Sequence, residues 1–239
     1  MDVVQVDYAD LILFCESKST NDQTTKILAK IEAAYGPDGL GILEISDVPD
    51  FERKRQALLP LAAQLPHLTD LEDLVDAESM YSIGWSHGKE MLGGQPDTAK
   101  GSFYAKPFDD TTQNRWPSAS LPALETAFVD MSRTLQEIGC RIAYVCDAYC
   151  ATRGVVGTGM AQSLQASHNA TGRLLHYFAA AADAAATQET ASSATWCAWH
   201  KDHVRIWCAI TEQHDTYTCT QHHEHTGHVD RSRSWVISR

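Results

Sequence analysis

The feature that most constrains this chain is a long amphipathic stripe between Leu121 and about Thr152. Leu124, Phe128, Met131, Leu135, Ile138, Ile142 and Val145 recur every three or four residues, the spacing that lines one face of an α-helix. Pro122 stands where the first turn of a helix tolerates it. A helix of this length with one apolar face needs a long partner, and a sheet is the partner expected. Cys140, Cys146 and Cys150 fall on the same helix and read as small buried thiols rather than ligands.

The segments before the stripe alternate. Leu11–Phe14 is a short apolar run and is expected to be a strand. A helix follows over Thr20–Ala34, with Ile27, Leu28 and Ile31 at helical spacing and Thr20 or Asn21 as its cap. Gly36-Pro37-Asp38-Gly39 ends it in a turn. Gly41–Ile45 reads as a strand, Phe51–Leu65 as a helix stopped by Pro66, and Leu68–Ala77 as a short helix. From Tyr81 to Trp116 glycines and aromatics interleave, with one strand expected at Ser102–Ala105. Such loops often line binding sites, so Tyr81, Trp85, His87, Phe103 and Tyr104 are candidate substrate-binding residues. The competing reading is a loop whose aromatics plug the edge of a core. Beyond the stripe come a helix over Ala161–Asn169, a strand at Arg173–Phe178, an alanine-rich insertion at Ala179–Thr195, and a strand at Trp196–His203.

Composition narrows the classes. The net charge of -12 argues against a nucleic-acid partner. No apolar run approaches the roughly 20 residues of a membrane helix, and the N-terminus has no secretory pattern. Seven scattered cysteines, an odd number, suit reduced thiols in the cytoplasm. A small-molecule substrate is the expected partner, and the oligomeric state is left open.

Chemistry concentrates in Trp199-His200-Lys201-Asp202-His203. On a strand, His200 and Asp202 point to one side. An imidazole and a carboxylate there are two parts of the 2-His-1-carboxylate triad that holds non-haem Fe(II) with open positions. A solvent-facing pair is the plainer alternative.

Six stretches, taken in order, carry a wider likeness. They are Gly36-Pro37-Asp38-Gly39-Leu40-Gly41-Ile42-Leu43, Tyr81-Ser82-Ile83-Gly84-Trp85-Ser86-His87-Gly88 and Lys100-Gly101-Ser102-Phe103-Tyr104, followed by Leu121-Pro122-Ala123-Leu124-Glu125, Arg173-Leu174-Leu175-His176-Tyr177-Phe178 and Trp199-His200-Lys201-Asp202-His203. Over residues 10 to 203 the chain resembles the Fe(II)- and 2-oxoglutarate-dependent dioxygenases of the isopenicillin N synthase-like branch. The resemblance implies an α+β fold in which an N-terminal mixed helix/strand region packs on a double-stranded β-helix, or jelly roll. It also implies His200 and Asp202 as iron ligands, and Fe(II) and 2-oxoglutarate as cofactor and co-substrate in an O2-dependent oxidation.

The family pattern also needs a later histidine and an Arg-x-Ser pair. Only 36 residues follow His203, too few for the rest of a jelly roll of roughly eight strands. The jelly roll is therefore expected to be incomplete. Residues 1–160 are read as the N-terminal region, 161–203 as the start of the core, and 204–239 as an atypical, histidine-rich tail of the kind a shifted frame or splice end produces. Two alternatives follow. One is a structural zinc site from Cys197, His200, Cys219 and His222, a donor set zinc accepts. The other is a non-catalytic scaffold or binding protein.

Overall fold

The computed structural model describes residues 2–17, 22–92, 94–111, 113–178, 206–211, 217–220 and 234–238. The chain begins with β1 (Val4–Asp7), α1 (Tyr8–Glu16), α2 (Asp22–Tyr35), β2 (Ile42–Ser46) and α3 (Phe51–Ala62). Strand β3 (Gly84–His87) leads into a small hairpin, β4 (Met91–Leu92) with β5 (Gln95–Pro96), and then β6 (Lys100–Ala105). After these come α4 (Ala123–Thr152), α5 (Met160–Ala166), β7 (Thr171–Tyr177), β8 (Trp207–Thr211), β9 (Tyr217–Thr220) and β10 (Ser234–Ser238). Among the described residues, no helix is long and apolar enough to cross a membrane.

One eight-stranded sheet organises the described strands in the order β1-β2-β9-β8-β10-β7-β6-β3. Only β1 and β2 run parallel; the other pairings in it are antiparallel. A single row of paired residues crosses all eight strands: Gln5, Glu44, Thr218, Ala209, Val236, Arg173, Tyr104 and Gly84. Because side chains alternate along each strand, residues one step from this row belong to the opposite face. That opposite face meets the helices. Phe103 of β6 packs edge-on against Phe128 of α4 at 6.0 Å. A methyl group on Gly139 of α4 would lie 3.6 Å from Cys208 Sγ on β8.

Helix α4 matches the stripe read from sequence. Leu124, Phe128, Met131, Leu135, Ile138, Ile142 and Val145 are all buried. Cys146 is buried too, and burial pushes its thiol up to about 12, the behaviour of an inert thiol. Cys140 and Cys150 are half-buried.

The largest departure from the sequence expectations is Leu11–Phe14, which lies in α1 and not in a strand. A four-residue apolar run has no period long enough to separate the two states. The Asp7 carboxylate caps the helix, accepting from Ala9 N at 2.7 Å, but a cap does not choose between the two states. Tertiary contacts then hold α1 on α4, through Tyr8 OH to Glu137 at 3.1 Å and Cys15 Sγ to the Arg141 carbonyl at 3.9 Å. Leu68–Ala77 contains only a 3-10 turn over Leu71–Leu74. Strands β1 and β3, of four residues each, are too short for alternation to mark them.

Candidate functional site

The expected site residues divide across the sheet. Trp85 and Phe103 are register partners in β3 and β6 and share the helix-facing side. Phe103 is fully buried, against Trp116 at 5.5 Å and Phe128 at 6.0 Å. The Trp85 ring lies over Gly101, where a Cβ would come 2.1 Å from Cη2; only glycine leaves room for the indole. His87, two residues on, is exposed; its Nε2 is 3.1 Å from the Thr98 carbonyl and its ring is 5.0 Å from Phe178. Tyr81 stands apart in a turn at φ 61, with Lys89 Nζ 5.0 Å from its ring centre. Only Tyr104 lies on the side turned away from the helices.

That side carries a charged cluster. Lys100, Ser102 and Tyr104 occupy alternate positions of β6 and therefore one face. Arg173 is the register partner of Tyr104 on β7. Glu90, from the connection between β3 and β4, reaches over them. Its Oε2 is 2.9 Å from Lys100 Nζ, and its Oε1 accepts from Tyr104 OH at 2.9 Å and from Arg173 Nη2. Asp97, only 4% exposed, is 3.1 Å from Lys100 Nζ. Arg173 donates to Ser102 Oγ from Nε at 3.1 Å and from Nη2 at 2.8 Å.

The electrostatics follow from these contacts. Burial raises the Glu90 carboxyl, but the Arg173 charge and the bonds from Lys100 and Tyr104 outweigh it, so the net shift is downward. Burial lowers Lys100, and its pairing with Glu90 and Asp97 reverses the sign. Tyr104 is raised, first by burial and then by the neighbouring Glu90 carboxylate against the opposing pull of Arg173. The cluster therefore favours an ionised Glu90 and a charged Lys100 beside a neutral Tyr104 phenol. Sequence reasoning did not single out Lys100, Arg173 or Glu90 as site residues. A strand was expected at Ser102–Ala105, but the approach of Arg173 and Glu90 to it was not visible.

His200 and Asp202 lie outside the described residues, as do the Ala179–Thr195 insertion and His222 and Cys197 of the zinc alternative. Among the described residues no three His, Cys, Asp or Glu side chains gather in a way that could hold a metal ion. The donor chemistry of His200 and Asp202, one imidazole and one carboxylate, fits an Fe(II) facial site. Two surface depressions lie in the helical layer, of about 650 Å³ beside Asp10, Asp22 and Lys26, and about 540 Å³ beside Cys15, Arg133 and Cys140. Neither contains a candidate residue.

No family model matches the chain, and no curated protein sequence does. Solved structures do. A full-length Neurospora crassa protein, in complex with alpha-KG and thymine, superposes with a TM-score of 0.67 at 12% identity, over 99% of this chain and 85% of its own. A Caulobacter crescentus protein assigned to the 2OG-Fe(II) oxygenase family gives 0.65 at 13% identity, over 92% and 73%. JOX2, in complex with 2OG, Fe and JA, gives 0.59 at 12% identity, over 99% and 74%. At these identities the likeness is one of architecture, and the chain has the mixed helix/strand fold of the 2OG-Fe(II) oxygenases.

Proposed function

We propose that this chain is a non-haem Fe(II)- and 2-oxoglutarate-dependent oxygenase of the isopenicillin N synthase-like type, oxidising a small organic substrate with O2. The observation that carries the reading is a fold shared with 2OG-Fe(II) oxygenases over nearly the whole chain. His200-x-Asp202 adds the donor pair that such chemistry needs. The core is read as an incomplete double-stranded β-helix beginning near residue 161. Beyond residue 203, the described strands β8, β9 and β10 belong to the same sheet as β7, which supports this reading.

In this reading His200 and Asp202 are metal ligands, and the metal with 2-oxoglutarate supplies the oxidising chemistry when bound. The chain's own share is geometry and the exclusion of water. Ser86 and Ser102, paired across β3 and β6, are buried on the side away from the helices. Tyr104 shares that side and is proposed to meet the substrate, with its phenol held neutral and oriented by Glu90. Trp85, His87 and Phe103 stand on the opposite side of the same strands, and Tyr81 lies in the turn that leads into β3.

Anaerobic titration of the full chain with Fe(II) and 2-oxoglutarate tests the reading. A weak visible charge-transfer band is expected, lost in His200→Ala and in Asp202→Ala. Absence of the band in the unaltered chain overturns it.

A further inference from the structure

Glu90 and the groups that bind it belong to different parts of the fold. The carboxylate hangs from the connection between β3 and β4, and its side chain is 40% exposed. All of its charged and hydroxyl partners stand on the main sheet. Lys100 and Tyr104 are four residues apart on β6, and Arg173 is opposite Tyr104 on β7. Between them they occupy both carboxylate oxygens with three donors. Arg173 is itself braced by Ser102 and by the Tyr104 ring, whose centre is 5.0 Å from the guanidinium carbon. The receiving groups are thus preorganised by ladder hydrogen bonds, while the anion is carried on a surface connection.

Charge accounting points the same way. Asp97 is 4% exposed, stays with Lys100 and also accepts from Ala99 N at 3.1 Å. If Glu90 leaves, two cations face one carboxylate. A partly buried positive charge without a partner is costly, and the nearest remedy is another carboxylate. Charge-assisted bonds of this kind are among the strongest a sheet surface offers.

We propose that Lys100, Tyr104 and Arg173 form a carboxylate-binding subsite whose resident occupant is Glu90, displaced when a small carboxylate ligand binds. The subsite's part in turnover rests on the oxygenase reading above; the binding itself does not. It assigns the ligand a class, a small organic acid, and gives the short β3–β4 connection that carries Glu90 a role as the element released on binding.

The test uses the full chain without metal, with succinate as probe at constant ionic strength. Glu90→Gln keeps the shape and removes the charge. It is expected to bind succinate about tenfold tighter than the unaltered chain by calorimetry, and the gain is expected to vanish in Glu90→Gln/Arg173→Met. Folded Glu90→Gln binding no tighter than the unaltered chain, or a gain that survives loss of Arg173, overturns the proposal. A second measurement holds if that variant does not fold. In the unaltered chain the Asp97 amide donates to the Glu90 carbonyl at 2.7 Å. Excess succinate is expected to speed its hydrogen exchange, and no change overturns displacement. Succinate binding without an Fe(II) band leaves the subsite standing and removes the oxygenase reading, so the two fail separately.

Discussion

Phe103 and Tyr104 are neighbours in sequence on opposite faces of β6. Phe103 is fully buried among Trp116 and Phe128 and makes the apolar contact that joins sheet to helix. Tyr104 turns away from the helices into a cluster of two cations and two carboxylates. The first face converts buried area into stability. The second holds charged groups whose desolvation offsets part of their mutual attraction. A face that contributes little to stability is free to serve binding, and that difference is the main physical lesson of the sheet.

The comparison is broken most forcefully from the apolar side. Phe128→Ala removes a fully buried ring that touches both Phe103 and Trp116. It is expected to cost about 3–5 kcal/mol in urea denaturation. A loss under about 1 kcal/mol would mean that α4 does not anchor the sheet as described. Gly101→Ala comes next, at about 1–3 kcal/mol, because the added methyl meets the Trp85 ring. A neutral result there would require the indole to move without consequence, and Trp85 fluorescence reports such a movement.

Changes on the polar side are expected to be smaller. Arg173→Met keeps much of the stem but removes the partner of Glu90, which is partly screened by solvent. The expected loss is about 1 kcal/mol, again by urea. A loss as large as that of Phe128→Ala would erase the distinction between the two faces. The smallest effect is on acid stability. Glu90 in the folded chain lies below its ordinary value of 4.5. Its contribution is therefore fully present above that pH and is lost as pH falls through the folded value. Stability of the unaltered chain and of Glu90→Gln is expected to differ at pH 6 and to converge in acid. A gap that widens on acidification reverses the sign and removes Glu90 as a favourably paired carboxylate.

Much of the helical layer was legible in the sequence because helices announce themselves over many residues. The stripe of α4 repeats through about six turns, and α2 and α3 carry shorter versions of the same period. The two-residue period of strands needs length to be seen. A strand was expected at Ser102–Ala105, within six-residue β6, and none at four-residue β1 and β3. The aromatic stretch from Tyr81 was expected to gather around one site. Alternation instead divides it, with Trp85 and Phe103 on one face and Tyr104 on the other.

By itself the sequence determined the local elements with long periods, the strand at Ser102–Ala105, and the His200-x-Asp202 pair that names a chemistry. Those are properties of residues a few positions apart, where backbone geometry alone fixes which side chains share a face. Tertiary structure decided whether Leu11–Phe14 became helix, and it decided the register that sets Arg173 opposite Tyr104. Register is a long-range choice made by pairing every strand at once. Glu90 and Arg173 are 83 residues apart in sequence, and only that pairing brings the guanidinium to the carboxylate.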